Sequence, residues 1–308
     1  MKMKMKKNRI KLNPNQIVGL IDSEGHFSFW IDTKTLSIIF LFKLSQREYS
    51  IDLLLAIKDY FNNQGEINID NEKNGTLQYC IRNKKTLLQL IIPFLDQYPL
   101  LTSKYLDYQD FKLALNYENI NKSKLEELIE LKNQMNKSRS WESRYIWSKF
   151  SSSPDKITTG WIAGMVEGDG SLEWDRKNYR PTIQISQNSH DRPLLESLQK
   201  NLGIGYLKPQ GYNLNLQETK NLRLKKNDFR ITGNKAMRNV ILPILNKYKF
   251  YSRKGVKLKL LNQLVEIFYE YSNQDQRNKL MSPLIEELQR KIPSTGNLSE
   301  WRKKEKRT

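Results

Sequence analysis

Cysteine and histidine are almost absent from this chain of 308 residues. Cys80 is the one cysteine, so the chain cannot form an internal disulfide framework. His26 and His190 are the two histidines, which excludes a zinc finger or another Cys/His metal cluster. Any metal ion that the chain holds must therefore rest on oxygen ligands.

Long hydrophobic runs are also missing. The longest, residues 36–44 and 87–95, are about nine residues long, whereas roughly 20 are needed to span a bilayer. The basic start, residues 1–15, has no hydrophobic region behind it, so we expect neither secretion nor membrane insertion. That start lacks acidic residues, and Lys, Asn and Ile are abundant throughout, as in A/T-rich genomes. Both features favour an organellar protein of a mitochondrion or chloroplast.

Acidic residues are in the minority. The chain has 33 Asp and Glu against 52 Lys and Arg, which gives a formal net charge of +19. A field of this sign raises the local concentration of phosphates, so the expected partner is a polyanion, with nucleic acid the leading candidate. The length allows one large domain or two domains of roughly 100 to 150 residues each.

The chain contains an internal repeat. Residues 16–25 (QIVGLIDSEG) and 161–170 (WIAGMVEGDG) share one pattern of apolar, small and acidic positions. Three further blocks recur in the same order: residues 44–46 with 185–187, 79–95 with 229–245, and 98–104 with 248–254. Four separated blocks in the same order indicate a tandem duplication.

Each copy has the same predicted order of helix, two strands, helix, two strands and helix. The motif helix ends at Gly25 or Gly170, where we expect the left-handed conformation that glycine adopts without strain. Alternation over residues 26–32 and 171–177 predicts half-buried strands. The hairpin of the second copy is predicted within residues 205–232.

We divide the chain into four segments: a first repeat, 1–118; a linker with a helix, 119–156; a second repeat, 157–275; and a C-terminal helix with a basic tail, 276–308. Ser282 and Pro283 are interpreted as the start of that last helix, which would end near Lys291. The tail sequence RKKEKR is either a phosphate-seeking arm or a solvated end.

The linker helix, residues 123–137, is followed by a basic and aromatic run that allows two interpretations. One is that the segment packs on the outside of a repeat. The other is a direct DNA contact by Arg139, Arg144 or Lys149.

Each motif carries two acids two positions apart, Asp22 with Glu24 and Glu167 with Asp169. Positions i and i+2 are about 200° apart on a helix, so both acids of one copy cannot face one site. The second acid lies at the helix end and can reach a bound group, whereas the first suits structural hydrogen bonds. Small residues such as Gly19 would let the two motif helices pack closely and bring Glu24 and Asp169 together.

Two carboxylates sharing a site in a basic chain favour a hard divalent cation. Mg²⁺ near phosphates uses one or two carboxylates plus water and phosphate oxygens, and paired metals clamp both sides of a phosphoryl displacement. The structural alternative is that these acids are helix caps or partners of nearby lysines.

The motifs IVGLIDSEG and IAGMVEGDG resemble those of a LAGLIDADG homing endonuclease of the single-chain, two-repeat type. The resemblance covers residues 10–118 and 157–275. It implies an α+β fold in which pseudo-twofold αββαββα units meet at their motif helices and two four-stranded antiparallel sheets form a DNA-binding saddle. It also implies a monomer that binds double-stranded DNA and cuts both strands with Mg²⁺, with Ca²⁺ expected to support binding without cleavage.

The resemblance gives catalytic roles to six residues: Glu24, Asp169, Gln46, Gln187, Lys104 and Lys254. The two acids would bind Mg²⁺, the two glutamines would order the attacking water, and the two lysines would polarise water or stabilise charge. Arg253 or Lys257 could replace Lys254 in this role. His26 stands where the family usually has a small residue.

Polar side chains on one face of each sheet are predicted to read base edges in the major groove. In the first repeat these are Ser28, Trp30, Asp32, Lys43, Ser45 and Arg82, the last placed in the fourth strand. In the second repeat they are Glu173, Asp175, Lys177, Thr182, Gln184, Lys208 and Arg230. The two sets differ, so we expect an asymmetric target; the alternative for each residue is an ordinary solvated strand face.

Intron homing is the activity that this resemblance implies. An alternative of the same fold is an RNA maturase that helps a host intron RNA to splice and would not need the paired acids. A transcriptional repressor is a third possibility, but repression would not require the paired acids.

Overall fold

The computed structural model describes residues 12–118, 121–209 and 226–290. The first repeat contains α1 (Pro14–Glu24), β1 (Gly25–Asp32), β2 (Ser37–Arg47), α2 (Ile51–Tyr60), β3 (Glu66–Asn71), β4 (Thr76–Ile81), α3 (Lys84–Thr86), α4 (Ile92–Gln97) and α5 (Lys104–Leu115). A π-helical turn, Leu87–Ile91, joins α3 to α4. Helices α6 (Lys122–Asn133) and α7 (Trp141–Ser151) form the linker.

The second repeat follows the same plan. It contains α8 (Thr159–Gly168), β5 (Gly170–Asp175), β6 (Arg180–Asn188), α9 (Arg192–Leu202), β7 (Tyr206–Pro209), β8 (Lys226–Thr232), α10 (Asn234–Ala236), α11 (Leu242–Leu245) and α12 (Lys254–Glu270). A matching π-helical turn, Met237–Ile241, precedes α11. Helix α13 (Gln274–Gln289) ends the described chain.

The two repeats form two four-stranded antiparallel sheets with the same strand order, β1-β2-β4-β3 and β5-β6-β8-β7. Alternate side chains of each sheet face the helices; Phe27 pairs with Phe42, and Leu172 pairs with Ile183, all four being buried. Burial of these apolar faces holds the helices on one side of each sheet. The predicted α+β duplication is confirmed. Among the described helices, none has the length and apolar character to cross a membrane.

Helices α1 and α8 pack against each other at two glycines. A Cβ built on Gly164 would overlap the carbonyl oxygen of Gln16 and lie 2.9 Å from the Cα of Gly19. A Cβ on Gly19 would overlap the carbonyl oxygen of Trp161 and lie 2.8 Å from the amide nitrogen of Met165. Only backbone therefore separates the two helices here, and the expectation of close packing is confirmed.

The glycines that follow the motif helices differ from the expectation. Gly25 has φ −72° and ψ 151°, which is extended backbone rather than the left-handed region. Space explains the residue instead, since a Cβ there would lie 2.6 Å from both Cγ2 and the carbonyl oxygen of Ile21. At Gly170 a Cβ would lie 2.5 Å from the carbonyl oxygen of Val166. The chain turns so tightly from helix to strand that a side chain has no room.

The start of the last helix was predicted wrongly. Helix α13 begins at Gln274, where the Asn273 side chain accepts a hydrogen bond from the backbone N–H of Gln276, and Pro283 lies inside the helix. Burial of Met281 on the same helix outweighs the backbone hydrogen bond that proline cannot make. Lys291, the tail RKKEKR, residues 1–11 and the hairpin stretch 210–225 lie outside the described residues.

Three helices add to the predicted plan. Helices α5 and α12 follow the helices expected to close each repeat, and both begin at a lysine of the aligned blocks, Lys104 or Lys254. The linker contains a second helix, α7, whose aromatic residues pack on neighbouring elements; the rings of Trp147 and Tyr105 stack at 5.3 Å between centroids.

The contact between α1 and α8 predicts a steep cost for one added methyl group. Gly164→Ala should lower the free energy of unfolding by about 3 kcal/mol or more, because the methyl meets backbone that cannot yield. Gly160→Ala is the comparison on the same helix, since its Cβ would meet Oδ1 of Asn13 at 2.8 Å, Cβ of Asn15 at 3.0 Å and the backbone nitrogen of Gln16 only at 3.4 Å. A side-chain oxygen can move where backbone cannot, so we expect a loss at least about 1 kcal/mol smaller than that of Gly164→Ala. Urea denaturation of both variants measures this, and equal losses would contradict it.

Candidate active site at the ends of the motif helices

The first acid of the first motif is a structural clamp. Asp22 is buried, and its carboxylate accepts hydrogen bonds from the backbone N–H groups of Leu101 at 2.9 Å and Thr102 at 3.1 Å. It also accepts from the Thr102 hydroxyl at 2.6 Å and from the indole N–H of Trp161 in the second repeat at 2.7 Å. The clamp fixes the segment that leads into Lys104, which confirms the structural role expected for this acid.

The first acid of the second motif does the same. Buried Glu167 accepts hydrogen bonds from the backbone N–H groups of Tyr251 at 2.6 Å and Ser252 at 2.8 Å. The Gln16 side chain of the first repeat donates to it at 3.0 Å. The segment that leads into Lys254 is therefore held like its counterpart, and each clamp reaches into the other repeat.

The second acids, Glu24 and Asp169, lie at adjoining helix ends. A Cβ on Gly168 would lie 3.5 Å from Cγ of Glu24. The Gln187 side chain donates a hydrogen bond to Asp169 at 2.8 Å, and the Gln46 side chain hydrogen-bonds Glu24. Each acid is thus paired with the strand-end glutamine of its own repeat. The structure brings together the four residues that the repeat alignment singled out.

The two lysines contact the same helix ends that carry these acids. The ammonium group of Lys104 donates to the carbonyl oxygens of Ile21 at 2.8 Å and Ser23 at 3.2 Å, and that of Lys254 donates to the carbonyl oxygen of Gly168. Each ammonium therefore satisfies carbonyl groups at the C-terminal end of a motif helix, where a positive charge is favoured.

Two clefts open at the helix ends, and each combines both repeats. We call the first, about 810 Å³ in volume, the Glu24 cleft; it is lined by Glu24 and Gln46 of the first repeat and Lys254 of the second. The Asp169 cleft, about 630 Å³, is lined by Asp169 and Gln187 of the second repeat and Lys104 of the first. The lysine of each cleft is thus supplied by the repeat that does not supply the acid.

Burial and like charge disfavour the ionised acids. Burial, followed by the negative charge of Asp169, raises the pKa of Glu24 to about 7, although Lys254 and Lys104 oppose the shift. Desolvation by the surrounding protein raises the pKa of Asp169, although the residue is partly exposed to solvent, and Lys104 is the main opposing charge. Burial also lowers the pKa of Lys254 to about 8 and that of Lys104 below its usual range. The four groups together therefore carry less charge than their residue types suggest, and a cation held by Glu24 and Asp169 would favour their ionised forms.

The donor set fits a hard divalent cation. Within residues 12–118, 121–209 and 226–290, no group of three or more His, Cys, Asp or Glu side chains could enclose a metal ion. Glu24 and Asp169 instead offer one carboxylate each beside open clefts. That arrangement suits Mg²⁺, which fills its remaining positions with water and phosphate oxygens.

The residues predicted to read DNA in the first repeat occupy one sheet face, opposite the helices. Lys43 and Ser45 both bind Asp70 on that face, at 2.5 and 2.9 Å. Trp30 is 46% exposed and pairs across the strands with Ile39, which is 54% exposed. Ser28 and Asp32 alternate with buried positions on the same strand.

Arg82 was placed wrongly in the fourth strand. Strand β4 ends at Ile81, and Arg82 follows it. Its guanidinium donates a hydrogen bond to the sulfur of Cys80 at 3.1 Å. The arginine therefore lies at the strand end, beside the same sheet face.

The second sheet presents cross-strand pairs on its corresponding face: Glu173 with Thr182, Asp175 with Arg180, Gln184 with Arg230, and Lys208 with Asp228. The strand predicted over residues 171–177 is two residues shorter at its C-terminal end than expected. Strand β5 ends at Asp175, and Lys177 lies in the following turn, where its backbone N–H donates to the Asp175 carboxylate at 2.9 Å. The turn forms because the aspartate side chain caps it.

Two linker arginines are engaged in buried ion pairs. Arg139 and Arg144 bind the Asp107 carboxylate at 3.1 and 2.9 Å, and Arg139 also pairs with Asp110. All three contacts attach the linker to α5, so a direct DNA role for these two arginines is not supported. Lys149 is exposed, and its ammonium lies 5.9 Å from the ring centroid of Phe150. Sequence spacing alone offered no signal for these partners, which lie about 30 residues apart.

Comparison with known proteins places these motifs in context. A family model described as LAGLIDADG endonuclease matches residues 17–115 and 162–265. "Probable intron-encoded endonuclease 2" of Neurospora crassa is 28% identical over 226 residues, which are 64% of this chain and 49% of that protein. "Probable intron-encoded endonuclease Cox1-I1b" of Schizosaccharomyces pombe is 32% identical over 209 residues, 63% of this chain and 50% of that protein. The chain spans about half the length of these relatives.

Solved structures share the fold over most of the chain. I-SmaMI bound to an uncleaved DNA target in the presence of calcium ions superposes with a TM-score of 0.74 at 25% identity, covering 91% of this chain and 100% of that one. The I-LtrWI LAGLIDADG homing endonuclease bound to target DNA has a TM-score of 0.72 at 22% identity, covering 89% and 96%. At 22% identity, the similarity to I-LtrWI shows a shared fold and no more.

The raised pKa of Glu24 predicts that this acid destabilises the metal-free protein. Its folded pKa of about 7 exceeds the ordinary value of 4.5, so stability falls as the pH rises between these values. Glu24→Gln should therefore raise the free energy of unfolding at pH 8 in EDTA by about 1–3 kcal/mol, with little effect at pH 4. Thermal unfolding with the exposed Glu130→Gln as control tests this. A Glu24→Gln variant less stable than wild type at pH 8 would refute it.

Proposed function

Because the chain belongs to the LAGLIDADG endonuclease family, we propose that it is a site-specific DNA endonuclease that cuts both strands of a long asymmetric target. The single observation that carries this proposal is the pair of clefts at adjoining helix ends, each of which combines the second motif acid and strand-end glutamine of one repeat with the aligned lysine of the other. Two such clefts in one chain match the need to hydrolyse two phosphodiester bonds. The intron-encoded endonucleases among its relatives support a role in intron homing.

We assign metal binding to Glu24 and Asp169. Bound Mg²⁺ would supply Lewis-acid stabilisation of the charge that develops on the phosphate oxygens. Gln46 and Gln187 can orient an attacking water, because each amide already lies within hydrogen-bond range of an acid. We assign Lys254 rather than Arg253 or Lys257 to charge stabilisation, since its ammonium lies at the motif-helix end.

Each lysine would act at the cleft that contains the other repeat's acid. Lys254 exerts the largest favourable charge effect on Glu24, and Lys104 exerts the largest on Asp169. A buried ammonium beside the scissile phosphate would stabilise negative charge more strongly than an exposed one, because water screens it less. Cutting of each strand therefore depends on both repeats.

DNA would lie across the outer faces of the two sheets. The net charge of +19 provides the long-range attraction, and the polar strand faces provide the base contacts. The reading residues proposed for the first repeat are Ser28, Trp30, Asp32, Lys43, Ser45 and Arg82. Those proposed for the second are Glu173, Asp175, Lys177, Thr182, Gln184, Lys208 and Arg230. Because the two sets differ, the target would be asymmetric.

We propose that the protein acts as a monomer, since both clefts lie within one chain. Ca²⁺ should support binding without cleavage, and the calcium-containing complex of I-SmaMI with uncleaved DNA supports this assignment. An organellar location is supported by one relative described as a mitochondrial protein of Saccharomyces cerevisiae, 26% identical over 270 residues. The RNA maturase alternative is not favoured, because the similar intron-encoded proteins are named as endonucleases.

Cleavage of a DNA library that spans candidate insertion sites tests the activity. In Mg²⁺ we expect wild type to give double-strand breaks at one sequence, whereas Glu24→Gln and Asp169→Asn should bind that DNA in Ca²⁺ with wild-type affinity and give no double-strand break. Glu130→Gln is the matched control and should cut normally. Full double-strand cleavage of a supercoiled target plasmid by either acid variant would exclude the catalytic assignment. No cleavage by wild type at any sequence would count against the function itself.

The exposed Trp30–Ile39 pair predicts a chemical preference within the target. Apolar side chains in the major groove contact the methyl group of thymine, whereas the corresponding pair of the second sheet, Asp175 with Arg180, is charged. Replacing thymine by deoxyuridine, one position at a time, should weaken binding about fourfold at a position that this pair contacts.

Variants give the matching control for that experiment. The double variant Trp30→Ser/Ile39→Ser should become insensitive to the missing methyl group, while Asp175→Ser/Arg180→Ser should keep the wild-type pattern. Binding is measured by fluorescence anisotropy in Ca²⁺. An unchanged uracil penalty in the Trp30→Ser/Ile39→Ser variant would show that these side chains do not contact the methyl group.

A further inference from the structure

One carboxylate crosses from the second repeat to the turn that carries Lys104. Asp191, the last residue before α9, accepts hydrogen bonds from the backbone N–H of Ser103 at 2.8 Å and from its hydroxyl at 3.0 Å. Asp191 is 3% exposed and Ser103 is 1% exposed, so both bonds are shielded from water. A buried, charge-assisted pair of this kind holds its partners firmly.

The carboxylate acts on the N-terminal end of α5. Ser103 immediately precedes that helix, and its own side chain caps no helical N–H. The negative charge of Asp191 therefore satisfies a free backbone donor and lies at the positive end of the helix. Lys104 is the first residue of α5, so the bond fixes the backbone from which its ammonium extends into the Asp169 cleft.

At the other cleft the equivalent position carries no carboxylate. The position equivalent to Asp191, at the end of the short 3₁₀ turn before the matching helix, is Ser50. The position equivalent to Ser103 is Arg253, whose guanidinium donates to the carbonyl oxygen of Arg290 at 2.8 Å. At this position the turn before Lys254 is therefore held by the end of α13, whereas Gln16 of the opposite repeat contacts the segment further upstream, at the Lys249 carbonyl oxygen, at 2.9 Å.

The linker helix α7 also contacts both sides of the Asp191–Ser103 pair. Arg144 of α7 donates to the carbonyl and hydroxyl oxygens of Ser103, both at 3.4 Å. Trp141 of the same helix donates its indole N–H to the Ser189 hydroxyl at 2.8 Å, two residues before Asp191. Helix α7 thus bridges the two ends of the Asp191–Ser103 contact.

We infer that Asp191 is a positioning residue for Lys104 and sets the rate at which one DNA strand, the strand cut in the Asp169 cleft, is hydrolysed. The inference rests on the proposed endonuclease activity. It adds that the two clefts differ in how the turn before their lysine is held. His190 lies beside this contact, with Nε2 3.3 Å from the Asp191 carboxylate, but the clamp itself consists of the two bonds to Ser103.

Strand-specific kinetics test the inference. A supercoiled plasmid with the selected target, or a duplex with a different dye on each strand, is cut by wild type, Asp191→Ser and Lys104→Met under single-turnover conditions. Asp191→Ser introduces the residue found at position 50. We expect it to slow one strand about 10- to 100-fold, because a catalytic group that loses its support loses alignment. The slowed strand should be the one that Lys104→Met slows, and nicked plasmid should accumulate.

Three controls separate positioning from general destabilisation. Ser50→Ala, the matched change in the other half, should leave the rates of both strands within about twofold of wild type. Asp191→Asn keeps an acceptor for the Ser103 N–H and should recover part of the rate. The double variant Lys104→Met/Asp191→Ser should be no slower than Lys104→Met alone, since both changes act through one group.

The possible results are distinct. Equal slowing of both strands by Asp191→Ser, slowing of the strand that Lys254→Met slows, or additive losses in the double variant would each overturn the inference. If Asp191→Ser does not fold, Ser103→Ala removes the hydroxyl bond and should slow the same strand alone. Wild type that cuts neither strand would instead refute the proposed endonuclease activity.

Discussion

The close contact of α1 with α8 is the constraint on which the rest of the structure depends. At Gly19 and Gly164 only backbone lies between the helices, so their backbones are in direct contact. This approach places the ends of both helices side by side and leaves Glu24 and Asp169 adjoining. The same helix ends lead into the tight turns at Gly25 and Gly170, from which the two sheets extend. The glycine contact thereby brings the two acids together.

The charged groups of this site are costly to hold together. Glu24, Lys104 and Lys254 are half-buried and Asp169 is exposed, yet desolvation by the surrounding protein disfavours the charged form of each group. The clamps made by Asp22 and Glu167 offset part of this cost by tying the lysine-bearing segments to the motif helices. The residues proposed for catalysis therefore lower the stability of the fold, as is common where charged groups are positioned for a ligand.

Much of this arrangement can be predicted from the sequence, because repetition carries the information. The aligned acids, Gln187 and its counterpart, and the lysine-bearing blocks are all visible as recurring positions, and period-two alternation identifies the strand faces. Contacts without a counterpart in the other repeat cannot be found this way. Arg144 reaches Asp107 across the linker, Asp191 reaches Ser103 across the repeats, and tertiary packing keeps Pro283 inside a helix. Neither hydrophobic periodicity nor alignment of the repeats can identify a contact that occurs in only one repeat.

The exchange of lysines between clefts has a consequence for the ancestry and engineering of this chain. Each repeat contains one acid, one glutamine and one lysine, but neither cleft is completed by one repeat, since the Glu24 cleft takes its lysine from the second repeat and the Asp169 cleft takes its lysine from the first. After duplication, the two copies could diverge in their sheets but not independently at their helix ends. A chimera that joins this first repeat to a foreign second repeat inherits two hybrid clefts, so compatibility must be judged at both.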